Sequence, residues 1–203
     1  MNKNKTYILA SGSPRRIEIM RSHGIDPIIH PASIEENIPP ENGMCQTVMF
    51  LALKKAKAVE TEVLDKAVFR EGDASVEGDS PIIIAGDTIV YKDEIMGKPE
   101  NREDAYRMLA KLKNDYHYVV TGCALVEAGI QNARVFAEIT KVFVKDLTEA
   151  ELNAYLDTNE PYDKAGAYAI QGIFSKHIDH IEGDYDNVVG FPWSSIEKEL
   201  ELL

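Results

Sequence analysis

Pro81-Ile82-Ile83-Ile84-Ala85-Gly86-Asp87-Thr88-Ile89-Val90-Tyr91 decides how this chain is read. Pro81 opens a continuous apolar run at strand length. The run stops at Gly86-Asp87-Thr88 and resumes at Ile89-Val90-Tyr91. A carboxylate in such a strand is expensive unless it meets a cation, a metal or several donors. Asp87 is therefore a functional candidate, with a structural hydrogen-bond network as the plain alternative. Lys92-Asp93-Glu94 then turns the chain, and Ile95-Met96-Gly97-Lys98-Pro99 returns it. An acid, a hydroxyl (Thr88) and a lysine (Lys98) are thereby set to converge.

The flanks read outward from this strand. Thr6 to Ala10 is a short apolar strand. Ser11-Gly12-Ser13-Pro14 is a turn into a helix, with Ser13 as N-cap, Pro14 at the first helical position and Gly24 at the stop. Ile25 to Ala32 predicts a second strand, followed by an acidic loop at 33–43 that contains prolines. Gln46 to Glu60 predicts a helix, since Val48, Leu51, Ala52 and Val59 share a face at the 3.6 period. Residues 61–80 read as an acidic insertion. Downstream, Asn101 caps a helix with Ala105, Met108, Leu109 and Leu112 inward. His117 to Val126 and Arg134 to Lys145 form a hairpin around Gly129. Thr148-x-x-Glu151 is a capping box with Leu147 and Leu152 as its staple. Residues 161–172 are irregular, Phe174 to Ile181 reads as a strand, and Pro192 starts a last helix. Strands and helices mix without strict alternation. That predicts an α/β (mixed α+β) fold: one domain over 1–203, a twisted mixed sheet flanked by helices.

Acids outnumber bases 34 to 22 among the 203 residues, for a net charge of -12. Such a chain repels nucleic acid and anionic membrane, so neither is expected as a partner. A small anion needs basic residues gathered locally. No apolar stretch reaches signal-peptide or membrane-span length, and Cys45 and Cys123 suit a reduced compartment, so a cytoplasmic location is expected.

Three features offer that local gathering. Ser11-Gly12-Ser13-Pro14-Arg15-Arg16 joins a strand to a helix N-terminus, where free N–H groups and the macrodipole favour an anion and arginine grips phosphate. The alternative is a solvent-facing turn with two surface arginines. Lys55 lies inside the apolar stripe of its helix, so it reaches a polar cleft or snorkels to the rim. Asp163-Lys164-Ala165-Gly166-Ala167-Tyr168 precedes Gln171-Gly172, and the amide of Gln171 is able to read a base edge; an ordinary loop is the alternative. His177-x-x-His180 is poor metal-ligand spacing, and P-loop, dinucleotide-binding and nucleophile-elbow patterns are absent.

Taken in order, Leu9 to Arg16, Gly86-Asp87-Thr88, Gly97-Lys98-Pro99, Asp163 to Tyr168 and Ile170-Gln171-Gly172 resemble the Maf family of nucleotide pyrophosphatases. Ile181 to Pro192 resembles that family's C-terminal signature. The resemblance spans essentially the whole chain. It implies a Maf/ITPase-like fold around a central phosphate-binding cleft. It also implies hydrolysis of a nucleoside triphosphate to monophosphate and pyrophosphate with a divalent metal, magnesium or manganese, and a homodimer. Arg15, Thr88 and Gln171 match the branch acting on dTTP and UTP. The catalytic acid maps onto Asp87. The loop glutamate maps onto Glu36, where the usual Asp-Glu-Thr reads Glu35-Glu36-Asn37.

The expected division of labour follows from charge. A triphosphate carries about four negative charges, so catalysis must neutralise them and position water. Ser11, Ser13, Arg15 and Arg16 are expected on the phosphates, Lys55, Lys98 and Lys164 on the other walls, and Glu36 and Asp87 on a metal. Asp87 is expected to activate water, as base or as metal ligand. A non-enzymatic, nucleotide-sensing regulator of cell division is the alternative.

Overall fold

A computed structural model describes residues 5–37, 39, 41–66 and 80–203. Its elements run β1 (Tyr7–Leu9), α1 (Pro14–Ser22), β2 (Ile28–Ile29), α2 (Met44–Lys66), β3 (Ile82–Lys92), β4 (Glu94–Met96) and α3 (Arg102–Leu112). They continue through β5 (Tyr116–Glu127), β6 (Ala133–Val144), α4 (Glu149–Leu156), β7 (Ile178–Glu182), α5 (Tyr185–Val189) and α6 (Trp193–Leu200). Short 3-10 turns occupy Pro161–Asp163, Ala165–Ala167 and Ile173–His177.

The seven strands form one mixed sheet in the order β2-β1-β3-β5-β6-β7, with β4 also on β3. β1 runs parallel to β2 and β3, and the remaining pairs are antiparallel. β3 passes through Gly86-Asp87-Thr88 without a break and pairs with β5 along its length. Its other edge is shared. β1 covers residues 82–84 and β4 covers residues 90–92. Between them Ala85 to Ile89 lack a strand neighbour on that edge. β1 runs out there into the Ser11–Ser13 turn, and β4 runs out into Gly97-Lys98. The sheet thus has a notch, and the chemistry-bearing loops border it.

Strand alternation assigns the two faces. Ile8, Ile83 and Ala85 pack on α2 through Ala52, Ala56 and Val59. Leu9, Ile82 and Ile84 pack on Met20 of α1 and on Phe191, Trp193 and Ile196. Each isoleucine or leucine among them contributes about 1.5–3 kcal/mol by leaving water. A second core gathers Val90, Met96, α3, α4 and Tyr168 to Phe174 around the far half of β3. α2 crosses β5 so closely that a Cβ on Gly122 would fall inside the backbone of Val48 and Met49. Glycine inside a strand marks such an approach. That contact fixes the helix, and with it Lys55, against β3.

Several sequence boundaries shift. α2 runs from Met44 to Lys66, so residues 61–66 of the expected insertion continue the helix, and 67–79 lie outside the described residues. The strand expected at 25–32 shrinks to Ile28–Ile29, an edge pair with both side chains exposed. Phe174 to His177 is a 3-10 turn, because Phe174 and His177 turn into the core rather than alternate; only Ile178 onward is strand. A short helix, α5, precedes Pro192, which is the N-cap of α6 rather than its first residue. The Thr148–Glu151 capping box and the Asn101 cap are present.

Candidate active site

A cleft of about 1000 Å³ opens at the notch. Arg15, Lys55, Asp87 and Lys98 all line it, and so do Ser13, Arg16, Glu36, Thr88, Lys164 and Gln171. Residues more than 150 positions apart therefore share one hollow. Of the expected residues only Ser11 lies behind the lining. Its Oγ accepts from Arg16 Nη1 (3.1 Å) and from the Ser13 amide (3.3 Å).

Alternation along β3 sends Asp87 and Thr88 to opposite faces. Asp87 meets α2. Lys55 Nζ donates to Asp87 Oδ1 at 2.6 Å and lies 2.6 Å from Glu36 Oε1. Lys55 is therefore neither a rim lysine nor an unpaired one; it joins two carboxylates of the cleft. Its neighbour Lys54 donates to the Glu35 carbonyl (2.6 Å), so adjacent lysines hold the acidic loop on α2.

Thr88 faces Arg16. Arg16 donates Nε to the Gly190 carbonyl (2.9 Å), Nη1 to the Gly86 carbonyl (2.7 Å), and Nη2 to Thr88 Oγ1 (3.2 Å). With the bond to Ser11, four of its five N–H groups are taken. Burial lowers its pKa, although it stays charged. Arg16 is thus a strap that ties α1, β3 and the end of α5, with one N–H left for a ligand. Thr121 Oγ1 donates to the Asn187 carbonyl (3.0 Å), so the 3.0 Å contact between the two threonines is donated by Thr88. The Thr88 proton is spent on the protein, and its hydroxyl offers a ligand only an acceptor.

The Arg15 and Lys98 side chains make no hydrogen bond or ion pair among the described residues. Of the cations lining the cleft, these two keep all their donors free. Lys164 pairs with Asp163, whose pKa that hydrogen bond lowers. Gly166, at φ +67°, lets its turn press against Val90, and its amide donates to the Gly97 carbonyl (3.0 Å). That link brings the Lys98 and Lys164 loops together. Tyr168 completes the wall, its hydroxyl 2.6 Å from Nε2 of buried His117. Burial pushes His117 down to about 3 and Cys123 up to about 12, so the one is neutral and the other an inert thiol near neutral pH.

Glu160 also lines the cleft, and no sequence pattern marked it. With it, five basic and four acidic side chains face the hollow. The excess of positive charge is small. That bears on the expected metal. Among the described residues no three carboxylate, His or Cys ligands cluster. Glu36 and Asp87 are two carboxylates within one ammonium's reach. Such a pair fits magnesium, which takes one or two carboxylates and completes its shell from water and substrate phosphates.

The chain belongs to the Maf-like protein family, whose model matches residues 6–203. It is 42% identical to a dTTP/UTP pyrophosphatase of Acetivibrio thermocellus over 91% of this chain and 88% of that one. It is 40% identical to a protein of the same name from Caldicellulosiruptor bescii, over 98% and 95% of the two chains. Among solved structures it aligns with the Staphylococcus aureus Ham1 protein at 14% identity and a TM-score of 0.45, over 97% of this chain and 98% of that one.

Proposed function

We propose that this chain is a nucleoside triphosphate pyrophosphatase that acts on dTTP and UTP, releasing the monophosphate and pyrophosphate. The observation that carries the reading is the meeting of Arg15, Lys55, Asp87 and Lys98 around one cleft. The names of the relatives supply the pyrimidine preference.

Arg15 and Lys98, with free donors, grip the β- and γ-phosphates, aided by Ser13 at the N-terminus of α1 and by Lys164. Asp87 orients and deprotonates a water for in-line attack on the α-phosphorus. The new bond joins that oxygen to the α-phosphorus. The bond to the bridging oxygen breaks, pyrophosphate leaves, and the proton rests on Asp87. Lys55, bonded to Oδ1, holds Asp87 aimed. Magnesium or manganese, held by Glu36 and Asp87, would neutralise phosphate charge that five cations and four carboxylates leave uncovered. Gln171 reads the base. We place the enzyme in the cytoplasm as a homodimer, with no nucleic acid or membrane partner; no helix among the described residues is long and apolar enough to cross a membrane.

The test is a panel of nucleoside triphosphates with magnesium or manganese, scored for pyrophosphate and monophosphate. UTP and dTTP are expected to turn over fastest. Release of inorganic phosphate and diphosphate instead would contradict attack at the α-phosphorus. Tight nucleotide binding without turnover would favour the sensing regulator.

A further inference from the structure

A carboxylate in a cleft for a polyanion is a liability unless its charge is absorbed. Glu160 has three donors on its two oxygens. Oε2 accepts from the Ile173 amide at 2.8 Å. Oε1 accepts from the Phe174 amide at 3.2 Å and from the Tyr155 hydroxyl at 3.0 Å. The two amides open the 3-10 turn Ile173–His177, where N–H groups have no partner within the turn itself. Glu160 caps that turn from outside. Burial, then the Glu160 charge, raises the Tyr155 pKa, so its hydroxyl stays a donor.

The cap touches the base-reading wall. Gly172 lies so close under the carboxylate that a Cβ there would overlap it. Gln171, exposed on the cleft, stands between buried Ala169 and Ile170 on one side and the capped turn on the other. The Gly172 amide closes back on the Ala169 carbonyl at 3.2 Å. Glu160 also immediately precedes the turn Pro161–Asp163 that leads to Lys164. One side chain thus joins the start of the phosphate wall to the end of the base wall.

We propose that Glu160 is a positioning residue for nucleotide selection: its carboxylate, bonded to Ile173, Phe174 and Tyr155, holds the Gln171–Gly172 turn so that Gln171 meets the base. This rests on the pyrophosphatase reading and deepens it. A glutamine at 160 keeps the size but sets an NH2 group against one of three donors and gives up the charge-assisted bonds. The catalytic wall on β3 is untouched by that change.

The test uses the full chain and compares kcat and KM for UTP, dTTP and GTP in wild type, Glu160→Gln, Gln171→Ala and the double variant. Glu160→Gln is expected to lower the UTP-over-GTP ratio of kcat/KM by about fivefold or more, through KM for the pyrimidine triphosphates. Its saturating kcat should stay within about threefold of wild type. In the double variant the ratio should be no lower than in Gln171→Ala, because both changes act on one path. Tyr155→Phe, which keeps both amide bonds, should retain most of the preference. An equal fall in kcat for all three nucleotides with an unchanged ratio, or additive losses in the double variant, would overturn the proposal. Should Glu160→Gln fail to fold, Gly172→Ala displaces the carboxylate and must shift the ratio in the same direction; an unmoved ratio overturns it. A wild type that releases no pyrophosphate from any triphosphate ends the pyrophosphatase reading instead. The positioning role is then decided by the UTP-over-GTP ratio of Kd in wild type and Glu160→Gln.

Discussion

The two walls of the cleft are built differently. One is carried by β3, α1 and α2: Asp87 and Thr88 sit on an 11-residue strand paired with β5, and Lys55 on a 23-residue helix. The other, residues 160–172, has only 3-10 turns, with Gly166 and Ala167 both at positive φ. The regular wall is held by backbone ladders and by a helix pressed onto Gly122. The irregular wall has no ladder; besides short backbone bonds such as Gly166 to Gly97, it is held by side chains: Glu160 on three donors, and Tyr168 on His117. Rigid elements suit an acid that must stay within tenths of an ångström of its water. A side-chain-held turn suits selection, because its chemistry can change without disturbing the sheet.

The largest effects should arise on the regular wall. Asp87→Asn keeps shape and removes the charge, so kcat should fall by at least about 100-fold, the low end for a positioned acid–base group. The thermal midpoint should stay within a few degrees, since Glu36 still pairs Lys55. Full activity would end the catalytic role of Asp87. The two adjacent arginines divide the same wall. Arg16→Lys leaves the Gly86 and Gly190 carbonyls and Thr88 short of donors, and should cost about 2 kcal/mol or more of unfolding free energy in urea. Arg15→Ala should cost under about 0.5 kcal/mol yet raise KM for the triphosphate, because its donors are free. Equal stabilities for the two variants would erase the strap.

The irregular wall should carry a pH signature instead. The folded pKa of His117, about 3, lies below its ordinary value of 6.5. Between those values the unfolded chain binds the extra proton, so stability rises with pH and is lost as pH falls below 6.5. The slope reaches at most about 1.4 kcal/mol per pH unit for one group. Between pH 6.5 and 5, above the carboxylate range, a His117→Phe variant should show a flatter stability curve in urea titrations. An unchanged slope would remove His117 as the acid-sensitive tie of Tyr168.

The same contrast explains what could be read in advance. The regular wall was largely legible: apolar runs, a cap, a proline at a helix start and a glycine stop are local signals, and they placed Arg15 and Lys98 just past strand ends. Asp87, expected at a strand end, lies inside β3, which runs on through it. Lys55 stood out as a charge in an apolar stripe. That Arg16 would be spent on protein carbonyls was not legible, because its acceptors, Gly86 and Gly190, lie 70 and 174 positions away. Glu160 was invisible for a related reason. Its donors are two backbone amides and a tyrosine, none of which leaves a residue-type pattern. The strand expected through Phe174 failed because its apolar residues turn into the second core, and burial there follows the 3-10 turn rather than a period of two.

The smallest effect on selection separates the stability of α4 from the Glu160 carboxylate as the support of the irregular wall. Thr148 caps α4, and its side chain and Glu151 satisfy each other's backbone donors. α4 carries Tyr155, a donor to Glu160, but Thr148 stands at the far end of the helix from Tyr155 and off the cleft lining. Thr148→Ala removes a cap and should cost about 1 kcal/mol of unfolding free energy. If the wall depended on helix stability in general, that loss would also disturb the pyrimidine preference. If it depends on the Glu160 carboxylate, the UTP-over-GTP ratio should match wild type while the urea midpoint falls. A ratio that drifts with the midpoint would show that selection follows the stability of α4 and its core, and the distinction between a ladder-held wall and a side-chain-held wall would lose its functional content.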